Sequence, residues 1–155
     1  MSDQFHRPAE ILLVEDNLDD VEITLTAFRK LRIANKVHVV RDGQQALDFL
    51  FRKGEYGNGA DAPEPDLILL DLNLPRLNGL EVLERIRASD LFSTTPVIMM
   101  TASERPEDIR RSYKLGANSY ITKSVDFAEF VHATEVLVEY WSVIAKLPQR
   151  ATCMA

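Results

Sequence analysis

Apolar residues occur along the chain in short continuous runs, which alternate with stretches of helical periodicity. The runs lack polar alternation, and this is typical of strands buried on both faces of a parallel sheet. Three runs are clear and two are weaker, at residues 11–14, 67–70 and 97–100, then 37–40 and 119–122. We predict a strand at each of these positions.

Helical patterns fill the intervals between the predicted strands. In the first interval, one helical face carries Val21, Leu25, Phe28 and Leu31. The later helices are marked by capping-box spacing, or by proline near the start and glycine past the end: Asp42 with Gln45, Asn78 with Glu81, Pro106 with Gly116, and Asp126 with Glu129. A repeated strand–helix order with right-handed crossovers predicts an α/β fold. We expect a flavodoxin-like (βα)5 doubly wound sheet of five parallel strands in the order 2-1-3-4-5.

A loop rich in glycine and proline, residues 52–65, is inserted before the third predicted strand. It is either a loop that contacts a partner or a surface insertion without such a role. We favour the surface insertion, because loops absorb insertions at little cost in free energy.

The last predicted helix, residues 127–147, would be about 32 Å long at about 1.5 Å per residue and carries two apolar stripes. One stripe suits packing on the sheet: Phe127, Phe130, Val131, Thr134, Leu137, Val138 and Trp141. The other would be an exposed apolar patch: Val136, Tyr140, Val143 and Leu147. This patch predicts a homodimer through the last helix and the C-terminal tail, residues 137–155. The alternative is that the chain bends back at Pro148 and covers the patch itself.

The composition is that of an ordinary globular protein, with 155 residues, 46% hydrophobic residues and a net charge of −6. We therefore expect one domain over residues 1–155. No apolar run is long enough to span a membrane, and an acidic chain without a basic cluster is not expected to bind nucleic acid. The single cysteine, Cys153, cannot form an internal disulfide, which favours a reducing, cytoplasmic location.

Candidate chemistry lies at the carboxyl ends of the predicted strands, where ligands of such sheets bind. The residues there are acids, a hydroxyl and an ammonium: Glu15-Asp16, Asp71, Thr101-Ala102 and Thr122-Lys123. Two carboxylates about 4 Å apart repel by about 4 kcal/mol at an effective dielectric constant of about 20, so a tight cluster needs a cation. Oxygen ligands select Mg²⁺, Mn²⁺ or Ca²⁺. A carboxylate beside Mg²⁺ can accept a phosphoryl group, and Asp71 on the central strand is the natural acceptor.

Glu15-Asp16, Asp71, Thr101 and Lys123, in that order, resemble the receiver domain of bacterial response regulators over about residues 9–136. The resemblance implies that Asp71 accepts a phosphoryl group from a phosphohistidine of a sensor histidine kinase, with Mg²⁺ as the cofactor. It implies metal ligation by Glu15, Asp16, Asp71 and Asn73. It also implies that the phosphoryl oxygens are bound by Thr101, Ala102 and Lys123. Thr101 and Tyr120 would form the switch that responds to phosphorylation.

Three features narrow the resemblance to the regulators paired with bacterial and cyanobacterial phytochromes: the loop at residues 52–65, the run Thr122-Lys123-Ser124, and the aromatic-rich last helix with Trp141. A bacteriophytochrome is then a candidate partner kinase. Ser124 departs from the proline that commonly follows the lysine in a cis peptide, and cis before a non-proline residue costs about 2.5–4 kcal/mol. The geometry of the Lys123–Ser124 peptide is therefore open.

The predicted protein is a phosphoacceptor that catalyses its own phosphorylation and dephosphorylation, rather than an enzyme that turns over a substrate. With no output domain expected after the last helix, it would act through protein contacts or phosphorelay. Two alternatives are a pseudo-receiver that binds partners without chemistry and an aspartate-nucleophile phosphatase. The phosphatase is disfavoured because Asn73 occupies the position where a second acid is usually needed.

Overall fold

Five parallel strands form one sheet in the computed structural model, which describes residues 8–31 and 35–148. The strands are β1 (Ala9–Val14), β2 (Asn35–Val40), β3 (Leu67–Leu70), β4 (Val97–Thr101) and β5 (Ser119–Thr122), in the order β2-β1-β3-β4-β5. The helices are α1 (Leu18–Arg29), α2 (Gly43–Phe51), α3 (Gly79–Ala88), α4 (Pro106–Lys114) and α5 (Phe127–Glu139). None of the helices in these described ranges is long and apolar enough to cross a membrane. The predicted flavodoxin-like fold is confirmed.

Both faces of the sheet are covered by helices. Along β1, Ile11 and Leu13 pack with apolar residues of α1 and α5, whereas Leu12 and Val14 pack with those of α2 and α3. All four residues of β3 are buried. This two-sided burial is why the strand sequences show no polar alternation.

Polar side chains begin the helices much as the capping patterns predict. At α3 the capping box is reciprocal: the Asn78 amide donates to Glu81 Oε1 at 3.1 Å, and the Glu81 amide donates to Asn78 Oδ1 at 3.0 Å. At α2 the Gln45 amide donates to Asp42 Oδ1 at 2.8 Å, but Gln45 Oε1 accepts from the Arg41 amide, one residue earlier than the motif requires. The starts of α2 and α3 are therefore correctly predicted, although the box at α2 is not reciprocal.

The last helix differs from its prediction. The α-helix ends at Glu139 and continues as a π-helical turn, Tyr140–Ile144, because the backbone of Ala145 is extended and its amide donates to the Tyr140 carbonyl at 2.7 Å. Leu147 thus lies beyond the helix and is half-buried, so it is not part of an exposed helical stripe. Cys153 and the rest of the predicted tail interface after Pro148 lie outside the described residues.

The two apolar stripes of α5 are only partly as predicted. Phe127, assigned to the packed stripe, has 69% of its surface exposed, because it is the first helical residue and α5 first joins the core at Phe130. From the other stripe, Val136, Tyr140 and Val143 are about half exposed. An apolar patch therefore exists on this face of the helix.

The inserted loop, residues 52–65, is tied to the core. It contains a short 3-10 helix, Gly54–Tyr56, and the Tyr56 ring meets the buried Phe49 ring edge-on at a centroid distance of 5.2 Å. Arg52 Nε donates to the Ala62 carbonyl at 3.2 Å, and Ala62 is buried. The segment is thus an integral part of the structure, while a partner-contacting role for it stays a prediction.

Candidate functional site

The acidic residues predicted at the carboxyl edge of the sheet lie together. β1 and β3 are neighbours with Val14 paired to Leu70, so the residues that follow each strand are side by side. One carboxylate oxygen from each of Glu15, Asp16 and Asp71 lies within 4.8 Å of the other two. Glu15 and Asp71 are buried, whereas Asp16 is the most open to solvent of the three. The strand order alone therefore assembles three carboxylates at one point.

Lys123 reaches into this acidic cluster from the end of β5. Its amide donates to the Thr101 carbonyl at 2.8 Å, which fixes the backbone beside β4. Its ammonium donates to Glu15 Oε1 at 2.6 Å, to Asp71 Oδ2 at 3.0 Å and to Asp20 Oδ2 at 2.9 Å. An ammonium has three protons, so these acceptors use its whole donor capacity.

Asp20 is a site residue that the sequence reasoning missed. The predicted acidic residues all directly follow strands or lie close behind them, whereas Asp20 lies in the first turn of α1. The available signal was the acidic first turn, Asp19 and Asp20, close behind the acids that end β1. Because the turn follows β1 so closely, it stays near the same edge of the sheet.

Burial and mutual repulsion set the charges in the cluster. Burial, followed by the negative charge of Asp71, raises the pKa of Glu15 from 4.5 to about 7, although Lys123 opposes the shift. Burial alone would lower the pKa of Lys123, but hydrogen bonds to Asp20 and Glu15 and the charges of Asp71 and Glu15 outweigh it and raise that pKa. Lys123 therefore stays protonated, and its ammonium is shared among the carboxylates of Glu15, Asp20 and Asp71.

Neighbouring groups of the chain fix the position of Asp71. Its Oδ1 accepts from the Asn73 amide at 3.1 Å, and Asn73 Nδ2 lies 3.5 Å from Thr101 Oγ1. Gly79, at the start of α3, packs on the same stretch: a Cβ there would lie 2.2 Å from the Asp71 carbonyl oxygen. Only glycine fits this close approach. Gly79 is therefore, after Asp20, a second residue of the site that sequence reasoning missed.

Thr101 and Tyr120 meet through the loop that follows β4. The Thr101 side chain is fully buried, and its Oγ1 accepts from the Ser103 amide at 3.3 Å. The Tyr120 hydroxyl donates to the Ser103 carbonyl at 2.9 Å, while Ser103 Oγ donates to the buried Asp108 at 2.6 Å. Ala102 is exposed at the start of this loop. Both predicted switch residues are thus bonded to Ser103, which links them to α4.

The Lys123–Ser124 peptide is trans, which answers the question raised by the missing proline. Ser124 Oγ accepts from the Asp126 amide at 3.1 Å and so takes part in starting α5. The serine therefore has a local role that a proline could not fill.

A groove of about 430 Å³ opens beside the Asp20–Lys123 contact. It is lined by Asp19, Asp20, Glu22, Ile23, Ser124, Val125, Phe127 and Phe130. Val125 and Phe127, which line it, are each more than 60% exposed, and so is Leu18, the first residue of α1. The site is thus bordered by an apolar surface that nothing in the described parts of the chain covers.

Comparisons with known proteins agree with this geometry. Residues 11–135 match the response regulator receiver domain. Response regulator Rcp1 of Synechocystis sp. is 36% identical over 148 residues, covering 96% of this chain and 99% of Rcp1. The Mn²⁺-bound structure of Rcp1 superposes with a TM-score of 0.87 at 35% identity, covering 92% of this chain and 100% of that one.

Two further solved structures are similar. The phosphorylated cyanobacterial phytochrome response regulator RcpA has a TM-score of 0.86 at 38% identity and covers 92% of this chain and 100% of its own. The bacteriophytochrome response regulator RtBRR has a TM-score of 0.70 at 43% identity and covers 95% of this chain and 88% of its own. Because the receiver match spans most of the sequence, this chain belongs to the response regulator receiver domain family.

Proposed function

We propose that Asp71 accepts a phosphoryl group from a phosphohistidine of a partner sensor kinase, and that the phosphorylated chain signals through protein contacts or phosphorelay. The observation that supports this most is the position of Asp71, a buried carboxylate 3.0 Å from the ammonium of Lys123 and inside the three-carboxylate cluster. An acceptor in this position has both a cation-binding site and a fixed positive charge beside it.

The donor set of the cluster fits a hard divalent cation such as Mg²⁺. Glu15, Asp16 and Asp71 offer only oxygen atoms, and the ammonium of Lys123 already stands as a cation among them. Asn73 would add its carbonyl oxygen, as the family resemblance implies. A bound Mg²⁺ supplies positive charge that offsets the repulsion between an anionic nucleophile and an anionic phosphoryl group. The Mn²⁺-bound structure of Rcp1 supports a divalent cation of this kind.

In the transfer, a carboxylate oxygen of Asp71 forms a bond to phosphorus while the bond from phosphorus to the histidine nitrogen of the donor breaks. The electron pair of that bond returns to the imidazole, and an acyl phosphate remains on Asp71. Lys123, the Thr101 hydroxyl and the Ala102 amide would then bind the phosphoryl oxygens. Because Thr101 and Tyr120 both bond to Ser103, a movement of Thr101 towards the phosphoryl group would pull on the same loop that holds Tyr120.

The apolar border of the site is proposed as the surface that meets the kinase. Val125 and Phe127 line the groove together with Asp20, and the exposed Leu18 begins the same helix as Asp20. Because Lys123 bonds to both Asp20 and Asp71, a phosphohistidine that reaches Asp71 comes close to this groove. The relatives RcpA and RtBRR are phytochrome response regulators, which supports a phytochrome as the kinase.

The exposed face of α5 supports the second interaction, a homodimer. Val136, Tyr140, Val143 and Ile144 are 47–62% exposed and form an apolar patch on the opposite end of α5 from the phosphorylation site. A patch of this kind is typical of a surface that another protein covers. The dimer is tested separately from the phosphoacceptor role, below.

The phosphoacceptor role is tested by incubating the chain with Mg²⁺ and acetyl phosphate and measuring the intact mass. We expect a gain of one phosphoryl group, no gain in Asp71→Asn or with a chelator, and an undiminished gain in Asp90→Asn, which neutralises an exposed acid elsewhere. Lys123→Ala should uncouple phosphorylation from any change in oligomeric state. No gain in the wild type would favour the pseudo-receiver, and repeated turnover of varied phosphate esters would favour the phosphatase.

A further inference from the structure

The three acceptors of Lys123 are not equivalent. Glu15 and Asp71 belong to the group whose oxygens lie within 4.8 Å of one another, whereas Asp20 is outside that group. Glu15 and Asp71 follow strands, but Asp20 comes from α1 and is more exposed, with 20% of its side-chain surface accessible. Lys123 therefore bridges a cation-binding group and one acid that stands apart from it.

The backbone of Asp20 is fixed independently of Lys123. Its amide donates to Asn17 Oδ1 at 3.1 Å, and its carbonyl accepts from Thr24 Oγ1 at 2.9 Å. Both bonds hold the first turn of α1 in place. The Asp20 carboxylate is thus presented to Lys123 from a rigid element.

A divalent cation and the ammonium of Lys123 compete for the same two carboxylates, those of Glu15 and Asp71. Like charges repel strongly in a buried site, so the ammonium cannot keep close contacts to Glu15 and Asp71 while a metal ion uses them. The ammonium of Lys123 then needs another acceptor within reach. Without one, it leaves the site or weakens metal binding. Among the residues that the structure describes, Asp20 is the one acceptor of Lys123 that the metal-binding group leaves free.

We propose that Asp20 is a positioning residue that holds Lys123 beside Asp71 when a divalent cation occupies the carboxylate cluster. This inference rests on the proposed metal-dependent function of the same site. It gives α1 a part in the chemistry, because the helix then sets how far the ammonium withdraws. Without the negative charge at residue 20, Lys123 stays on Glu15 and Asp71 and opposes metal binding.

Asp19 provides a matched control within the same turn. It is exposed, and it is not among the acceptors of the Lys123 ammonium. Asp19→Asn removes the same charge from nearly the same place as Asp20→Asn. A difference between the two variants reports the contact to Lys123 rather than the net charge.

The test measures the Mn²⁺ dissociation constant of the full chain from the electron paramagnetic resonance signal of free Mn²⁺. Loss of a residue that positions groups around a metal typically costs about 10-fold or more in affinity, so we expect Asp20→Asn to weaken binding by about 10-fold. Asp19→Asn should change it by less than about twofold, since exposed charges are screened. Asp20→Glu, which keeps the carboxylate, should bind more tightly than Asp20→Asn.

A double-mutant cycle separates positioning from charge. In a Lys123→Gln background, Asp20→Asn should change Mn²⁺ affinity by less than about twofold, because no ammonium remains to position. Equal effects of Asp20→Asn with and without Lys123, or equal effects of Asp20→Asn and Asp19→Asn, would overturn the inference and leave the proposed function standing. A wild-type chain that binds no Mn²⁺ would refute the proposed metal site, and this inference with it.

Discussion

Glu15 makes the stability of the metal-free chain depend on pH, and Glu15→Gln should remove that dependence. Glutamine has nearly the same shape but carries no charge at any pH. Glu15 is 4% exposed, so its ionised form is stabilised less by water in the folded chain than in the unfolded one. The substitution therefore isolates the free-energy cost of this buried charge.

The size of the effect follows from the pKa of Glu15, which rises from its ordinary value of 4.5 to about 7 on folding. Between these values the folded chain binds a proton that the unfolded chain does not, so stability falls as pH rises. Each pH unit of that interval lowers the free energy of unfolding by about 1.4 kcal/mol, and the total decrease is about 3 kcal/mol above pH 7. Glu15→Gln does not undergo this loss. Its free energy of unfolding, relative to that of the wild type, should therefore be about 3 kcal/mol higher at pH 8 than it is below pH 4.5.

The assay is urea unfolding followed by circular dichroism, between pH 4.5 and 8 with a chelator present. Glu84→Gln, on the exposed side of α3, is the control and should keep the pH dependence of the wild type. Saturating Mg²⁺ should stabilise the wild type, by about 2.7 kcal/mol at 100 times the dissociation constant, and stabilise Glu15→Gln less. A difference in the free energy of unfolding between Glu15→Gln and the wild type that stays constant with pH would refute the prediction.

Three further predictions concern packing and assembly. Arg87→Met should lower the free energy of unfolding by about 3 kcal/mol in urea titrations. The guanidinium of Arg87 donates to the carbonyl of Thr95, before β4 in the chain, and to that of Gly116, after it, so it joins the two segments. A change below about 0.5 kcal/mol would contradict this role. Asn78→Ala should cost about 1 kcal/mol of thermal stability by removing the capping box of α3, and an unchanged melting temperature would refute that. Tyr140→Glu or Val143→Glu should give a monomer by light scattering, and a wild type that is monomeric at all accessible concentrations would exclude the dimer.

Much of the fold was predictable because it depends on local pattern. The run at residues 67–70 is apolar at every position, which is typical of a short strand covered on both faces. The signal at Asn78 and Glu81 is equally local, since both hydrogen bonds of the capping box lie within one helical turn. Prediction was weaker at the end of α5, because the sequence pattern does not distinguish the π-helical turn after Glu139 from a continued α-helix.

The sequence by itself determined which acids and which lysine lie at the carboxyl edge of the sheet, because parallel strands joined by helices all end at the same edge. Only the tertiary structure decided how those groups share their charges. Asp20 and Lys123 are 103 residues apart, and their contact depends on where folding places the first turn of α1 relative to the residue that follows β5, which periodicity does not report. Burial decided the rest: Glu15 has a raised pKa because folding removes water from a carboxylate that faces Asp71, and no pattern of residues along the chain records that distance.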